Sequence, residues 1–83
     1  MPFFVYIIYS SSLDSYYVGH TADLADRLYR HRNSGSRSTK HASDWELRYS
    51  EEYSTRSNAS ARELEIKRRK SRRYIEELLS EKK

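Results

Sequence analysis

One stretch limits what this chain can fold into more than any other: Phe3-Phe-Val-Tyr-Ile-Ile-Tyr9, the longest apolar run in 83 residues. It is rich in β-branched and aromatic residues, follows Pro2, and gives way to a Ser-rich stretch. That pattern predicts a strand covered on both faces, and hence the central one of its sheet. The run is too short to cross a bilayer and lacks the basic flank and cleavage site of a secretory signal, so no membrane association is expected. Elsewhere apolar side chains are scarce. Only 36% of residues are hydrophobic, eight of them Tyr, so residues 1–83 are expected to form one domain around a small core. With no Cys, disulfides and thiolate zinc sites are excluded, and a reducing, cytoplasmic compartment is expected.

Ser10 to Ser15 has a turn-forming composition, and Tyr16-Tyr-Val-Gly-His20 reads as the returning strand of a hairpin. Alternation places Tyr17 and Gly19 on one of its faces, and Tyr16, Val18 and His20 on the other. Thr21 is expected to cap a helix running to about Asn33, with Leu24 and Leu28 as its apolar stripe and Ser34-Gly35 as its stop. Residues 34 to 44 read as a loop. Trp45 to Tyr53 predicts a third strand that alternates at Trp45, Leu47 and Tyr49 and slips before Tyr53, with Trp45 in the core. Ser57 or Asn58 is expected to cap the next helix, carrying Ala61, Leu64 and Glu65 and ending near Lys70. Ser71 then caps a last helix with Tyr74, Ile75, Leu78 and Leu79 on one side. The order is β-β-α-β-α-α: an α/β fold with a small three-stranded antiparallel sheet flanked by helices.

Sixteen Lys and Arg oppose twelve Asp and Glu, for a net charge of +4, a balance that favours a polyanionic partner. The excess is uneven. One cluster comprises Arg62, Lys67, Arg68, Arg69, Lys70, Arg72 and Arg73. A looser one holds Arg27, Arg30, His31, Arg32, Arg37, Lys40 and His41. Together they could line one groove for a phosphate backbone, although a run of charge is as readily a solvated helix face.

A Tyr on the central strand, a Tyr-x-Gly on its partner and an Arg on the next helix make an unusual set: Tyr6, Tyr17-Val18-Gly19 and Arg27. With these residues the chain resembles the GIY-YIG nuclease superfamily, to which the amino-terminal nuclease domain of UvrC and several homing endonucleases belong. The first motif is Phe4-Val5-Tyr6, with Phe and Val where the family name has Gly and Ile, and the second is Tyr17-Val18-Gly19. Arg27 follows Gly19 by eight residues, and an acidic helix comes later as Arg62-Glu63-Leu-Glu-Ile-Lys67. The tail from Lys70 to Leu79 is similar to small stand-alone bacterial members. No residue is assigned to the late Asn found in some members.

The resemblance implies a metal-dependent endonuclease that hydrolyses DNA and leaves 5′-phosphate and 3′-hydroxyl ends. It implies that Glu63 holds one divalent ion, Mg²⁺ or Mn²⁺, and one carboxylate plus waters suits Mg²⁺. Tyr6 would accept a proton from water. A phenol titrates near 10, so a cation such as Arg27 must lower that value, and Arg27 would also brace the phosphate with its planar fork. Tyr17 would orient water or phosphate, and His31 would donate to phosphate or relay a proton, unless it is a solvated surface residue. Arg37, Lys40, Lys67, Arg68, Arg69, Lys70, Arg72 and Arg73 are the expected nucleic-acid contacts. DNA, including branched or damaged DNA of the kind met in repair, is the expected partner, with a homodimer or another protein as further options.

Each residue also has a plainer reading. Tyr6 and Tyr17 are read plainly as core tyrosines, Arg27 as a surface Arg, and Glu63 as the i,i+4 partner of Lys67. Gly19 fits either a close approach or a strand end. His20 and His41 show no ligand partners, and Glu65 lies too far round the helix to share a site with Glu63. The alternative function is a non-catalytic nucleic-acid-binding module using the basic C-terminal helices. A protein-interaction adaptor using the Tyr74, Ile75, Leu78 and Leu79 face is less economical than packing.

Overall fold

The computed structural model describes residues 2–33 and 40–81. Arg37, one of the expected nucleic-acid contacts, and the expected Ser34-Gly35 helix stop lie outside them.

The apolar run forms β1 (Phe3–Ser10) and the Tyr-x-Gly segment forms β2 (Ser15–Thr21). They are followed by α1 (Leu24–Arg32), β3 (Glu46–Tyr53), α2 (Arg56–Arg69) and α3 (Arg72–Glu81). The antiparallel sheet has the order β2-β1-β3, so β1 is central as expected. Alternation along β1 divides the interior in two. Val5 and Ile7 join Val18, Ala59, Ile66 and Leu78 beneath α2 and α3. Tyr6 and Ile8 point the other way and pack with Trp45, Leu24 and Leu28 under α1. Tyr74, Ile75 and Leu79 pack on the first cluster. The α3 face is therefore used within the fold, as the plainer reading held.

Four local expectations need correction. Asp23, not Thr21, caps α1 by accepting from the Asp26 N–H, while Thr21 Oγ1 accepts from the Asp23 N–H one step earlier. Thr55, not Ser57 or Asn58, caps α2 through the Asn58 N–H. The register slip in β3 falls earlier than expected. Ile7 pairs with Tyr49 and Ile8 with Leu47, so Arg48 is an extra residue that turns the strand over. Leu47 thus lies toward α1, and Tyr49, Glu51 and Tyr53 all lie toward α2. The buried positions of α2 also differ. Ala59 and Ile66 face the core, whereas Leu64 is 48% exposed and Ala61 and Glu65 lie on the solvent side. Ser71 caps α3 as expected, accepting from the Tyr74 N–H at 3.1 Å. Between α2 and α3, Lys70 takes the left-handed conformation (φ 48°) that ends a helix.

Candidate active site

Cross-strand register places Tyr6 directly opposite Gly19. The Tyr6 side chain crosses that position so closely that a Cβ on Gly19 would lie 2.5 Å from its hydroxyl and 3.2 Å from Tyr17 Cε2. The glycine is there for room and not for an unusual backbone angle: the close approach it permits is that of a tyrosine. A larger residue would have to displace both phenols.

Tyr6 is only 1% exposed, and its hydroxyl lies 2.8 Å from His31 Nε2. One turn after Arg27, His31 is buried as well, and its ring lies 5.0 Å from that of Tyr17. Burial and then the Arg27 charge push the imidazole below its usual value. A neutral ring results, hydrogen-bonded through Nε2 to the Tyr6 hydroxyl. The solvated-surface reading of His31 is excluded.

Tyr6 departs from expectation. Burial first, then Tyr17, raise its pKa to about 12; Arg27 acts in the opposite direction but does not win, and Glu63 adds to the rise. The buried phenol therefore keeps its proton at neutral pH, which argues against Tyr6 as the base. Tyr17 is the half-buried, more accessible phenol of the two.

Arg27 lies beside Tyr6, and its Nε is buried with no hydrogen-bond partner among the described residues. A desolvated guanidinium donor left unmatched is costly in a resting fold, and an anion meets it only when the side chain swings outward.

Glu63 stands with His20 on the α2 side of the sheet, opposite the phenols, and is linked to this cluster at the outer edge of β2 through Lys67 and through its charge on Tyr6. Its carboxylate bonds to His20 Nδ1 and to Lys67 Nζ, and Lys67 sits 5.6 Å over the Tyr17 ring. The plain i,i+4 pair with Lys67 therefore forms. Burial would raise the Glu63 pKa, yet the bonds from Lys67 and His20 outweigh it and hold the value below the usual range. An ionised oxygen donor at the edge of the site fits a hard divalent cation that keeps most of its waters. No group of three or more His, Cys, Asp or Glu able to hold a metal occurs among the described residues. Any such ion would therefore depend on Glu63, water and substrate. Reasoning from sequence missed His20 as Glu63's partner. Its place at the end of β2, on the face opposite Tyr17, was the available signal.

The basic residues are less free than their run suggests. Arg72 pairs with Asp14 and Glu76, Arg73 with Glu77, and Arg69 stacks on Tyr74. Lys40, Arg68 and Lys70 are exposed. Arg62 is no surface cation: it bonds Glu51, Glu65 and the Tyr74 hydroxyl.

Residues 2–75 match the model of the GIY-YIG catalytic domain. A UPF0213 protein of Staphylococcus aureus is 41% identical over 78 residues, covering 89% of this chain and 94% of its own. One from Staphylococcus epidermidis is 42% identical over 65 residues, covering 77% of this chain and 78% of its own. The solution NMR structure of a UPF0213 protein from Bacillus halodurans superposes with a TM-score of 0.62 at 30% identity, covering 99% of this chain and 86% of that one.

Proposed function

The chain belongs to the GIY-YIG catalytic domain family, and from that premise we propose that it is a metal-dependent endonuclease that hydrolyses phosphodiester bonds in DNA. The observation that carries this reading is the buried, unpartnered Nε of Arg27 beside two phenols, with an ionised carboxylate held at the same strand edge.

Arg27 donates to the non-bridging oxygens of the phosphate and offsets the charge that grows there as water attacks. Tyr17, the more accessible phenol, orients the attacking water, which gives its proton to solvent. Tyr6 and His31 stay neutral behind it and fix its ring in place. The bond between phosphorus and the 3′ oxygen breaks, and the departing oxygen takes a proton from solvent, leaving a 5′-phosphate and a 3′-hydroxyl. Glu63 would hold a divalent ion, Mg²⁺ or Mn²⁺, which would neutralise charge on the phosphate and on the departing oxygen. His20 and Lys67 orient that carboxylate. Outside the centre, Lys40, Arg68 and Lys70 supply phosphate contacts, with Lys67, Arg69, Arg72 and Arg73 recruited from their internal partners. A module that only binds is the rival reading. The internal pairing of Arg72 and Arg73 leaves it fewer free cations than the sequence offers.

Nicked, branched and single-stranded DNA incubated with Mg²⁺ should be cut by the wild type and scarcely at all by Glu63→Ala. Equal cutting by both proteins, or none by either, overturns the proposal.

A further inference from the structure

A groove of about 420 Å³ runs along the outer edge of β2, on the side where α2 gives way to α3. Val18, Ile66, Ile75 and the Tyr16 ring make its floor apolar, and Lys67, Lys70 and Arg72 stand among its walls. Tyr17 and Lys67 belong both to this groove and to the candidate active site, so the two are continuous.

Its charges are only partly used. Lys67 is tied to Glu63, and Arg72 lies over the Tyr16 ring and pairs with Asp14 and Glu76. Lys70, exposed at the helix junction, has no ion-pair partner among the described residues. Lys70 is thus the groove's uncommitted cation, and it favours an anion. The apolar floor asks more of the occupant than charge. A duplex turns phosphates outward and keeps its base faces stacked on one another, so nothing in it covers the half-buried Tyr16 and Ile75 at the groove's mouth. An unpaired nucleotide offers both a phosphate and a bare base face. The volume lies in the range of small-ligand sites.

We propose that this groove receives an unpaired nucleotide of the DNA strand adjoining the candidate active site, so that the protein prefers DNA with a single-stranded segment there. The proposal rests on the nuclease reading for its placement but not for its test. A single-stranded oligonucleotide carrying 5-iodouracil at successive positions would be irradiated with the wild-type chain in EDTA. The adducts would then be mapped by mass spectrometry. The expected adducts fall on the peptides holding Tyr16–Tyr17 or Lys70–Ile75, at one favoured nucleotide position and about tenfold above those from a blunt duplex of the same sequence. Tyr16→Ser should cut the preference for single-stranded over duplex DNA by about tenfold, and Tyr16→Phe should keep it. Adducts mapping only to α1 or β3, duplex labelled as strongly as single strand, or no adducts at all would overturn the proposal whatever Tyr16→Ser does to folding. Glu63-dependent cleavage measured alongside separates the two readings. Cleavage without groove adducts removes the groove alone, whereas groove adducts without cleavage keep the groove and remove the nuclease.

Discussion

On the α2–α3 side of the sheet, Arg62 finds Glu51, Glu65 and the Tyr74 hydroxyl, and Glu51 in turn accepts from Tyr49 and Tyr53. On the α1 side, Arg27 leaves its Nε with no partner among the described residues, beside a phenol whose pKa burial has pushed up to about 12. Both faces withdraw an arginine from water, but on the second the Arg27 Nε stays unmatched among the described residues although the side chain hydrogen-bonds to Tyr6. A completed polar network fixes packing, whereas an incomplete one holds donors ready for something that is yet to arrive. Reactivity is therefore expected on the α1 side and stability on the other.

Gly19→Ala should blur this division most. Its Cβ would crowd the Tyr6 hydroxyl at 2.5 Å, and His31 restrains that phenol from yielding. We expect cleavage to fall about a hundredfold, from a displacement near 1 Å. Stability should drop by about 1–3 kcal/mol, the usual cost of overpacking. Wild-type cleavage and melting would show that Tyr6 and Tyr17 do not depend on one another's position.

Glu51→Gln should leave cleavage per folded molecule unchanged and lower Tm by roughly 10 °C. This follows from about 2 kcal/mol for a half-buried pair with Arg62 in a chain of this size. Thermal unfolding followed by circular dichroism checks it.

The same residue sets an acid limit. Burial opposes ionisation of Glu51, but the bonds from Arg62, Tyr49 and Tyr53 win and lower its pKa from 4.5 to about 2. A depressed carboxylate contributes its full stability above the unfolded value of 4.5, and loses it as the pH falls through about 2. Urea midpoints measured from pH 5 to 2 should decline in the wild type and decline less steeply in Glu51→Gln. At the small end, Arg73→Ala removes an exposed pair with Glu77 at 3.6 Å. It should shift Tm by no more than about 2 °C, the scale of a surface ion pair, and lower the salt slope of DNA binding by about one unit.

Much of the fold was legible because it follows from one run of residues. Phe3 to Tyr9 dictated a central strand, and the Tyr6, Tyr17, Gly19 and Arg27 pattern could be read from spacing within the first 27 positions. What escaped notice depends on chain segments far apart. His20 meets Glu63 across 43 residues, and only the packing of α2 against the β2 edge brings them together. Arg62 looked like one more charge in a basic cluster, because its burial is set by Glu51 on β3. The turn-over of β3 at Arg48 reflects the two cores it must serve in succession, Leu47 toward α1 and Tyr49 toward α2. No local preference of Arg48 announces it. The Tyr6 environment was misjudged for a related reason: the cation was visible in the sequence, but the extent of burial that outweighs it was not.

The contrast between the two arginines leads to the most direct measurement: cleavage of a labelled DNA substrate by Arg27→Ala, with thermal unfolding recorded on the same preparation. The proposed role of Arg27 as a donor to phosphate predicts cleavage lower by about a hundredfold or more while Tm stays within a few degrees of wild type. A protein that melts far lower yet cuts normally per folded molecule would show that Arg27 maintains the fold, and would contradict the assignment of this face to chemistry.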